Sequence, residues 1–554
     1  MDQERVWWKE SVVYQIYPRS FKDSNNDGIG DIPGIIEKLD YIHSLGVDVI
    51  WLCPVYPSPN DDNGYDVSDY RGIMPEFGNM AEFDRLLEEV HQRGMKLVMD
   101  LVANHSSDEH FWFQQSRSSK DNPYRDYYIW REGEPGNVPN DWPSFFGGDA
   151  WEYDEVTASY YLHLFTKKQP DLNWENPKLR KEVYDIIRYW FEKGVDGFRM
   201  DVISVISKPP GLPSANTDDF NQIIKERYAD GPRIHEFLHE MNREVLSHFD
   251  IMTVGEGPGI TLDNALNYVG RDREELNMIF HFDHMFMDCG PGGKYDPVPF
   301  DFQRFKQVFN DWDALLAGKG WGSIFLGNHD FTRMVSKFGN DREHWSSSAK
   351  LLATLLTTMR GTVYVYQGDE IGMTNVAFDS IDDYDDVETH GNWKAAQERG
   401  EDMSEFMKLV HMQSRDNART PMQWTDGFQA GFSGTEPWLK VNPNHQRINV
   451  ANQDKDPVSI LNYYRQCIAF RKQNLTLVYG DYECLDTEHP FFYSYKRWDD
   501  EAEFLVIHNF SDEQREWQGA VHFADFRMEL TNSEQNTKAS EFAPWQAKVF
   551  RKLE

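Results

Sequence analysis

The chain is poor in cysteine, in basic residues and in long apolar runs, and each shortage closes a class of function. Its four cysteines, Cys53, Cys289, Cys467 and Cys484, are scattered over 554 residues and form no Cys-x-x-Cys pair. That spacing argues against a disulfide framework or a zinc site. Lysine and arginine number 56 against 92 acidic residues, a formal charge of −36. A surface of that sign opposes binding to nucleic acid or anionic membranes and disfavours a phosphorylated substrate. No uninterrupted apolar segment is long enough to cross a bilayer, and Met1 to Val12 is charged and lacks the apolar core of a signal peptide. These features predict a cytoplasmic protein with no nucleic-acid or membrane partner.

Acidic residues are plentiful, and a few of them close short apolar runs. Gly197-Phe198-Arg199-Met200-Asp201-Val202 reads as the end of a buried strand. Side chains two apart on a strand point the same way, so Arg199 and Asp201 should lie side by side. The guanidinium is then expected to hold the carboxylate ionised by lowering its pKa. Ile251 to Glu256 and Gly322 to Asp330 are further apolar runs, ending in Gly-Glu and Asn-His-Asp. Glu256 has no basic neighbour in sequence and can keep a proton near neutral pH if partly desolvated. Carboxylates delivered by separate strand ends converge in a parallel β/α barrel, whose catalytic groups come from the C-terminal ends of several strands.

Candidate strands recur near 12–18, 47–56, 96–102, 197–203, 251–256, 278–282, 322–330 and 362–368, with charged helical stretches such as Met80–Arg93 and Asn176–Lys193 between them. That alternation predicts an α/β protein, a closed (β/α)8 TIM barrel. Two connections are too long for simple crossovers. The first begins at His105 and is rich in Asp, Asn, Pro, Gly and aromatics. The second follows strand eight and includes the acidic stretch Asp379 to Gly400. From about residue 480 the pattern changes to short alternating strands, predicting a C-terminal antiparallel β domain.

Asp100-Leu101-Val102-Ala103-Asn104-His105, Gly197 to Asp201, Glu256 and Asn328-His329-Asp330 resemble, in order, four signature regions of the α-amylase family of glycoside hydrolases. Gln169-Pro170-Asp171-Leu172-Asn173 resembles a fifth, in the form typical of the oligo-1,6-glucosidase subfamily. The resemblance implies a barrel over 1–104 and 174–479, with a lid or subdomain at about 374–455. It also implies an inserted domain B after strand three (105–173) and a C-terminal β domain (480–554). Asp201 would be the nucleophile, Glu256 the general acid/base and Asp330 the group that binds sugar hydroxyls and stabilises the transition state. A nucleophile about 5 Å from an acid/base gives a covalent glycosyl-enzyme and net retention.

Further roles follow position by position. Asp62 and Tyr65 match residues that clamp and stack the non-reducing glucose, and His105 and His329 match histidines that hydrogen-bond it. Arg415 matches an arginine paired with the sugar-binding aspartate, Arg199 flanks the nucleophile, and Phe146 and Phe165 resemble aromatics lining the cleft. Without the resemblance, these histidines and phenylalanines would read as core residues and Asp62 to Asp66 as a turn. Val202 beside the nucleophile goes, in this subfamily, with α-1,6-linked substrates. A stiff β-branched side chain there crowds an α-1,4 aglycone, a preference of about 1–3 kcal/mol. The expected activity is therefore a retaining, exo-acting α-glucosidase releasing glucose from isomalto-oligosaccharides, as a monomer or weak homo-oligomer.

Phe331-Thr332 departs from the Gln-Pro usual after Asn-His-Asp, and α-1,4-glucosidase, sucrose or trehalose-6-phosphate hydrolysis, and transglucosylation or isomerisation stay open. A non-catalytic transporter heavy chain would lack the three acids and carry a membrane anchor. Oxygen donors alternate at Asp23, Asn25, Asp27, Ile29 (through its carbonyl) and Asp31, the first part of an EF-hand-like loop without its terminal glutamate. The family resemblance implies a structural Ca2+, or Mg2+, in that loop, and no organic cofactor.

Overall fold

A computed structural model describes residues 5–535 and 537–553. Eight short strands form the centre: β1 (Val12–Ile16), β2 (Val49–Leu52), β3 (Lys96–Val102), β4 (Gly197–Asp201), β5 (Met252–Glu256), β6 (Met278–Phe280), β7 (Ser323–Ile324) and β8 (Thr362–Tyr366). Their order is β7-β8-β1-β2-β3-β4-β5-β6, and every paired neighbour is parallel. Parallel strands are covered on both faces, which explains near-continuous apolar runs such as Val12-Val13-Tyr14. Between β6 and β7 the ring is closed by a side chain: Ser323 Oγ donates to the Ile279 carbonyl at 2.8 Å. A Cβ at Gly197 would stand 2.1 Å from the Met252 carbonyl oxygen, so this approach of β4 to β5 admits only glycine.

Most strands are shorter than the apolar pattern predicts, because each stops where its backbone is diverted toward the barrel mouth. Pro18 opens a 3-10 turn after β1. Val202 turns into the left-handed region after β4, and Gly368 does so after β8. The 322–330 run pairs only at Ser323–Ile324; beyond it the Asn328 side chain accepts from the Asp330 amide at 2.7 Å, fixing a loop. The helices are set locally. Helix Met80–Gln92 starts on a capping box of Asn79 and Glu82. Helix Pro177–Lys193 has Asn176 as its cap, proline at its first position and Gly194 left-handed at its end.

The insertion after β3 carries a three-stranded antiparallel sheet, with Ser159–Leu162 between Trp130–Glu132 and Trp151–Asp154. A buried ion pair, Lys208 Nζ to Asp171 Oδ2 at 2.7 Å, ties it to the barrel, and the same ammonium reaches Asn104 Oδ1 at 2.6 Å. After β8, helices Val387–Arg399 and Met403–Gln413 pack over the mouth segment 376–384. The C-terminal sheet is five-stranded and antiparallel, in the order Asp481–Cys484, Phe492–Trp498, Glu503–Asn509, Ala547–Lys552, Phe526–Thr531.

Two fully buried arginines meet behind the sheet: Arg497, on strand Phe492–Trp498, fastens the sheet to the barrel, and Arg471, on helix Ile460–Gln473, clamps the barrel segment it docks on. Arg471 donates to the carbonyls of Thr357, Met359, Gly361 and Leu477, and Arg497 donates to those of Thr358, Leu477 and Gly480. These carbonyls include the end of helix Trp345–Thr358, where orphan acceptors collect. Arg497→Met strands several buried acceptors and should cost about 3 kcal/mol. Thermal unfolding checks this: the midpoint should fall by several degrees, and an unchanged midpoint would contradict the clamp.

Candidate active site

The register of β3, β4 and β5 decides which groups meet. Asp100 lies opposite Arg199, Val102 opposite Asp201 and Met200 opposite Gly255, so Glu256 at the end of β5 comes level with Asp201. The Arg199 guanidinium joins three carboxylates. Its Nη1 is 2.7 Å from Asp100 Oδ1 and 2.6 Å from Asp201 Oδ1, and its Nη2 is 2.6 Å from Glu256 Oε2. Glu256 therefore has a basic partner in space, contrary to the reading of its sequence neighbourhood. It also accepts the Val202 amide at 3.0 Å.

One positive charge among three negative ones does not keep both mouth acids ionised. Burial pushes Asp201 well above the ordinary carboxylate range; Arg199 pulls it back, and the charges of Glu256 and Asp100 add to the rise. The expected lowering by Arg199 alone is thus reversed. Burial also raises Glu256, against Arg199, and there the charge of Asp330 adds to the rise. Each acid is raised, and the two stand close enough on one guanidinium to titrate as a pair. The negative charge of Asp330 is among the groups that raise Glu256, which suits that residue to holding a proton.

Asp330 itself stays ionised. Burial acts upward, but His329 once it is protonated, and Arg415 and Arg419 at every pH, hold its carboxyl far below the usual range. Its Oδ1 is 3.3 Å from Arg415 Nη1 and 3.0 Å from Arg419 Nη2. Lys294, from the hairpin Cys289–Pro297, donates to the Asp330 carbonyl at 3.0 Å and to Glu388 at 2.9 Å. Burial lowers His329 to about 3 and His105 to about 4, so both rings are neutral in the folded protein. The Gln15 amide nitrogen lies 2.8 Å from His329 Nδ1 and can only donate, which leaves the ring proton on Nε2. That Nε2 is buried without a hydrogen-bond partner, 3.2 Å from Asp330 Oδ2.

The remaining expected residues gather on the same mouth. Tyr65 stacks on His329 with centroids 5.2 Å apart and planes 8° apart. Its hydroxyl donates to Asp100 at 3.3 Å. Asp62 is 3.2 Å from Arg415 Nη2 and accepts from Gln169 at 3.2 Å. Burial raises its carboxyl to about 6 against the pull of Arg415 and Arg419. Phe165 packs on His105 at 4.9 Å, and the Arg415 guanidinium lies 4.9 Å from the Phe146 ring centre. Val202 joins their cluster with φ 35° and ψ 39°, a left-handed conformation in which a β-branched residue is a genuine outlier.

Several residues here escaped the sequence reading. Asp386, Glu388, Arg419 and Lys294 have no strand-end signature. Asp100 did stand inside a motif already singled out, and Asp386 and Glu388 inside the acidic stretch Asp379 to Gly400. Asp386 is fully buried, takes Arg415 through Nε at 2.8 Å and Nη2 at 2.7 Å, and caps helix Val387–Arg399.

The metal-loop residues lie apart, against the 432–438 segment. Asp23 accepts the amides of Asn25, Asn26 and Gly28 and the Ser433 hydroxyl, filling its four lone pairs. Asp31 caps helix Ile32–Glu37. Asn25 and Asp27 accept one amide or side-chain proton per oxygen and keep acceptor capacity. No group of three or more His, Cys, Asp or Glu among the described residues is gathered for an ion. The fit is therefore partial: the donors are all oxygen, as a hard cation needs, but Asp23 is saturated by the loop itself.

A parallel barrel that gathers paired acids and a third carboxylate at its C-terminal mouth is an arrangement suited to acid/base and nucleophilic work on a glycosidic bond. The α-amylase catalytic-domain model matches residues 15–480. The oligo-1,6-glucosidase of Parageobacillus thermoglucosidasius is 55% identical over 99% of both chains. The trehalose-6-phosphate hydrolase of Bacillus subtilis (strain 168) is 47% identical, covering 92% of this chain and 90% of that one. The solved isomaltulose synthase of Erwinia rhapontici NX5 superimposes with a TM-score of 0.96 at 45% identity, over all of both chains. The chain belongs to the α-amylase family and is a glycoside hydrolase.

The raised acids fix a sign for pH. An unfolded aspartate is charged above about pH 4, whereas folded Asp62 is charged only above about 6. Between those values the folded protein takes up a proton that the unfolded chain does not, so this group favours the fold on the acid side and opposes it above pH 6. Function should follow the opposite sense. kcat/KM for an α-glycoside should fall as pH drops through about 6, and an acid limb near pH 4 would contradict the site's electrostatics.

Proposed function

We propose that this protein is a retaining, exo-acting α-glucosidase that hydrolyses α-1,6-glucosidic bonds at the non-reducing ends of isomalto-oligosaccharides. The observation that carries the chemistry is the single guanidinium shared by Asp201 and Glu256. Carboxylates on neighbouring nitrogens of one group stand close together, which suits the retaining arrangement of about 5–5.5 Å rather than the wider spacing that admits a water. In this reading Asp201 attacks the anomeric carbon while Glu256 passes its proton to the glycosidic oxygen. The leaving sugar departs and a covalent glucosyl ester remains on Asp201. Glu256, now ionised, takes a proton from water, which attacks the same carbon and frees Asp201 with net retention.

Asp330 supplies a fixed negative charge for the positive character that develops on the sugar ring, and it accepts sugar hydroxyls. Asp62 and Arg415 grip the glucose, neutral His329 donates through Nε2, and His105 and the Tyr65 ring complete the pocket. Removal of the nucleophile should be drastic. Asp201→Asn should lower kcat by at least about 10³-fold with an unchanged thermal midpoint; activity near the parent's would end this reading.

Two observations favour the α-1,6 linkage. Relatives 55% identical to the chain are named oligo-1,6-glucosidases. Val202, with its stiff side chain, is held beside Asp201 in a strained conformation that the Glu256–amide bond secures. Rates on isomaltose, panose, maltose, sucrose, trehalose and trehalose-6-phosphate test the assignment. Isomaltose should be cleaved at least about tenfold faster than maltose, and Val202→Thr should narrow that ratio. Faster cleavage of maltose or of trehalose-6-phosphate would replace the assignment by the corresponding relative.

A Ca2+ or Mg2+ ion in the 23–31 loop belongs to the same reading. Asn25, Asp27, the Ile29 carbonyl and Asp31 would hold it, with Asp23 released from part of its turn. The ion would stiffen a loop remote from the acids and take no part in bond cleavage. Chelation should lower the thermal midpoint while leaving KM unchanged, and a midpoint indifferent to chelator would remove the ion. No helix among the described residues is long and apolar enough to cross a membrane. A cytoplasmic protein acting as a monomer or weak homo-oligomer fits this function.

A further inference from the structure

Arg419 holds the third carboxylate at two points. Its Nη2 lies 3.0 Å from Asp330 Oδ1, and its Nε donates to the His329 carbonyl at 2.9 Å. Side chain and preceding backbone are thus fixed by one planar group, which a point charge such as lysine does not reproduce. The arginine is itself anchored. Ser20 Oγ donates to its carbonyl at 2.5 Å, and its guanidinium lies 5.5 Å from the Tyr17 ring centre. It is 1% exposed. Arg415, the other arginine on Asp330, is differently committed: its short bonds go to Asp386 and its longer ones, 3.2 and 3.3 Å, to Asp62 and Asp330.

We propose that Arg419 is the positioning residue for Asp330, acting on the transition state through that carboxylate, while Arg415 serves sugar binding. The division follows from geometry. Arg419 touches Asp330 and its own loop, whereas Arg415 spans Asp62 and Asp330 across the pocket. An Asp330 free to swing loses the alignment of its charge with the sugar ring, and such preorganised charge matters more in the transition state than in the ground state. The loss should appear in kcat rather than KM. Asp330 should also become easier to protonate, and a carboxyl that swings away would raise Glu256 less.

This inference rests on the role given to Asp330 above, and the experiment separates the two. Asp330→Asn, Arg419→Lys and Arg419→Met are compared with the parent for thermal midpoint, kcat, KM, the pH profile of kcat/KM, and inhibition by a basic glucose mimic and by glucose. Both Arg419 variants should lose about 10²-fold or more in kcat, with KM within about threefold. The basic mimic should weaken in step with kcat while glucose hardly changes, and in Arg419→Met, which removes a positive charge that lowers Asp62, the acid limb should move to higher pH. If Met unfolds the protein, Lys, which keeps the charge, supplies the reading. Near-parental kcat in folded Arg419→Lys would overturn the inference, as would a loss confined to KM. A fully active Asp330→Asn would instead overturn the role of Asp330, whatever Arg419 does.

Discussion

One buried guanidinium organises this molecule's chemistry. Arg199 extends from the middle of β4 and binds Asp100 on one side, Asp201 on its own strand and Glu256 on the next. Three carboxylates at the mouth of a barrel would repel one another and take up protons; a single shared cation lowers that cost without removing it. The result is two neighbouring acids that are both raised and linked through one cation, the arrangement a double displacement uses when one of them is protonated. Asp330, supported by its own arginines, adds a charge that does not move.

The rest of the fold serves to deliver these groups to one place. Strand register sets Asp201 beside Glu256, and short strands release their ends into loops just where the acids occur. The insertion after β3 brings His105, Phe146 and Phe165 to one wall and is fastened through the Lys208–Asp171 pair. The helices after β8 bring Asp386, Glu388 and the Arg415–Arg419 segment against that wall, where Arg415 meets Phe146. Those two arginines then reach Asp62 and Asp330, so the mouth is completed only by residues some 350 positions apart in sequence, such as Asp62 and Arg415. The C-terminal sheet is held by Arg497, which reaches from it to the Thr358 and Leu477 carbonyls.

Much of this was legible in the residues. Period-two placement of Arg199 and Asp201 and apolar runs ending in acids gave the barrel and its three carboxylates, because strand ends are where a parallel barrel exposes functional groups. Family motifs added Asp62, Tyr65 and the histidines, which isolated inspection would have left as turn or core. Electrostatic detail was not legible. Arg199 sees Glu256 only through strand register, and desolvation, which reverses the expected shift of Asp201, depends on burial that a sequence does not display. Asp386 and Glu388 open helix Val387–Arg399 and Lys294 stands on the hairpin Cys289–Pro297, elements whose position over the mouth is set by tertiary packing, so no periodicity marked them.

The central claim is that Asp201 becomes covalently bonded to the sugar while Glu256 supplies the proton. A fluorinated glucosyl fluoride, which forms the ester faster than water releases it, tests this directly. Mass spectrometry of the inactivated protein should show one added fluoroglucosyl group, and peptide mapping should place it on Asp201. Label on any other residue would contradict the account, as would turnover of the reagent with inversion and no adduct.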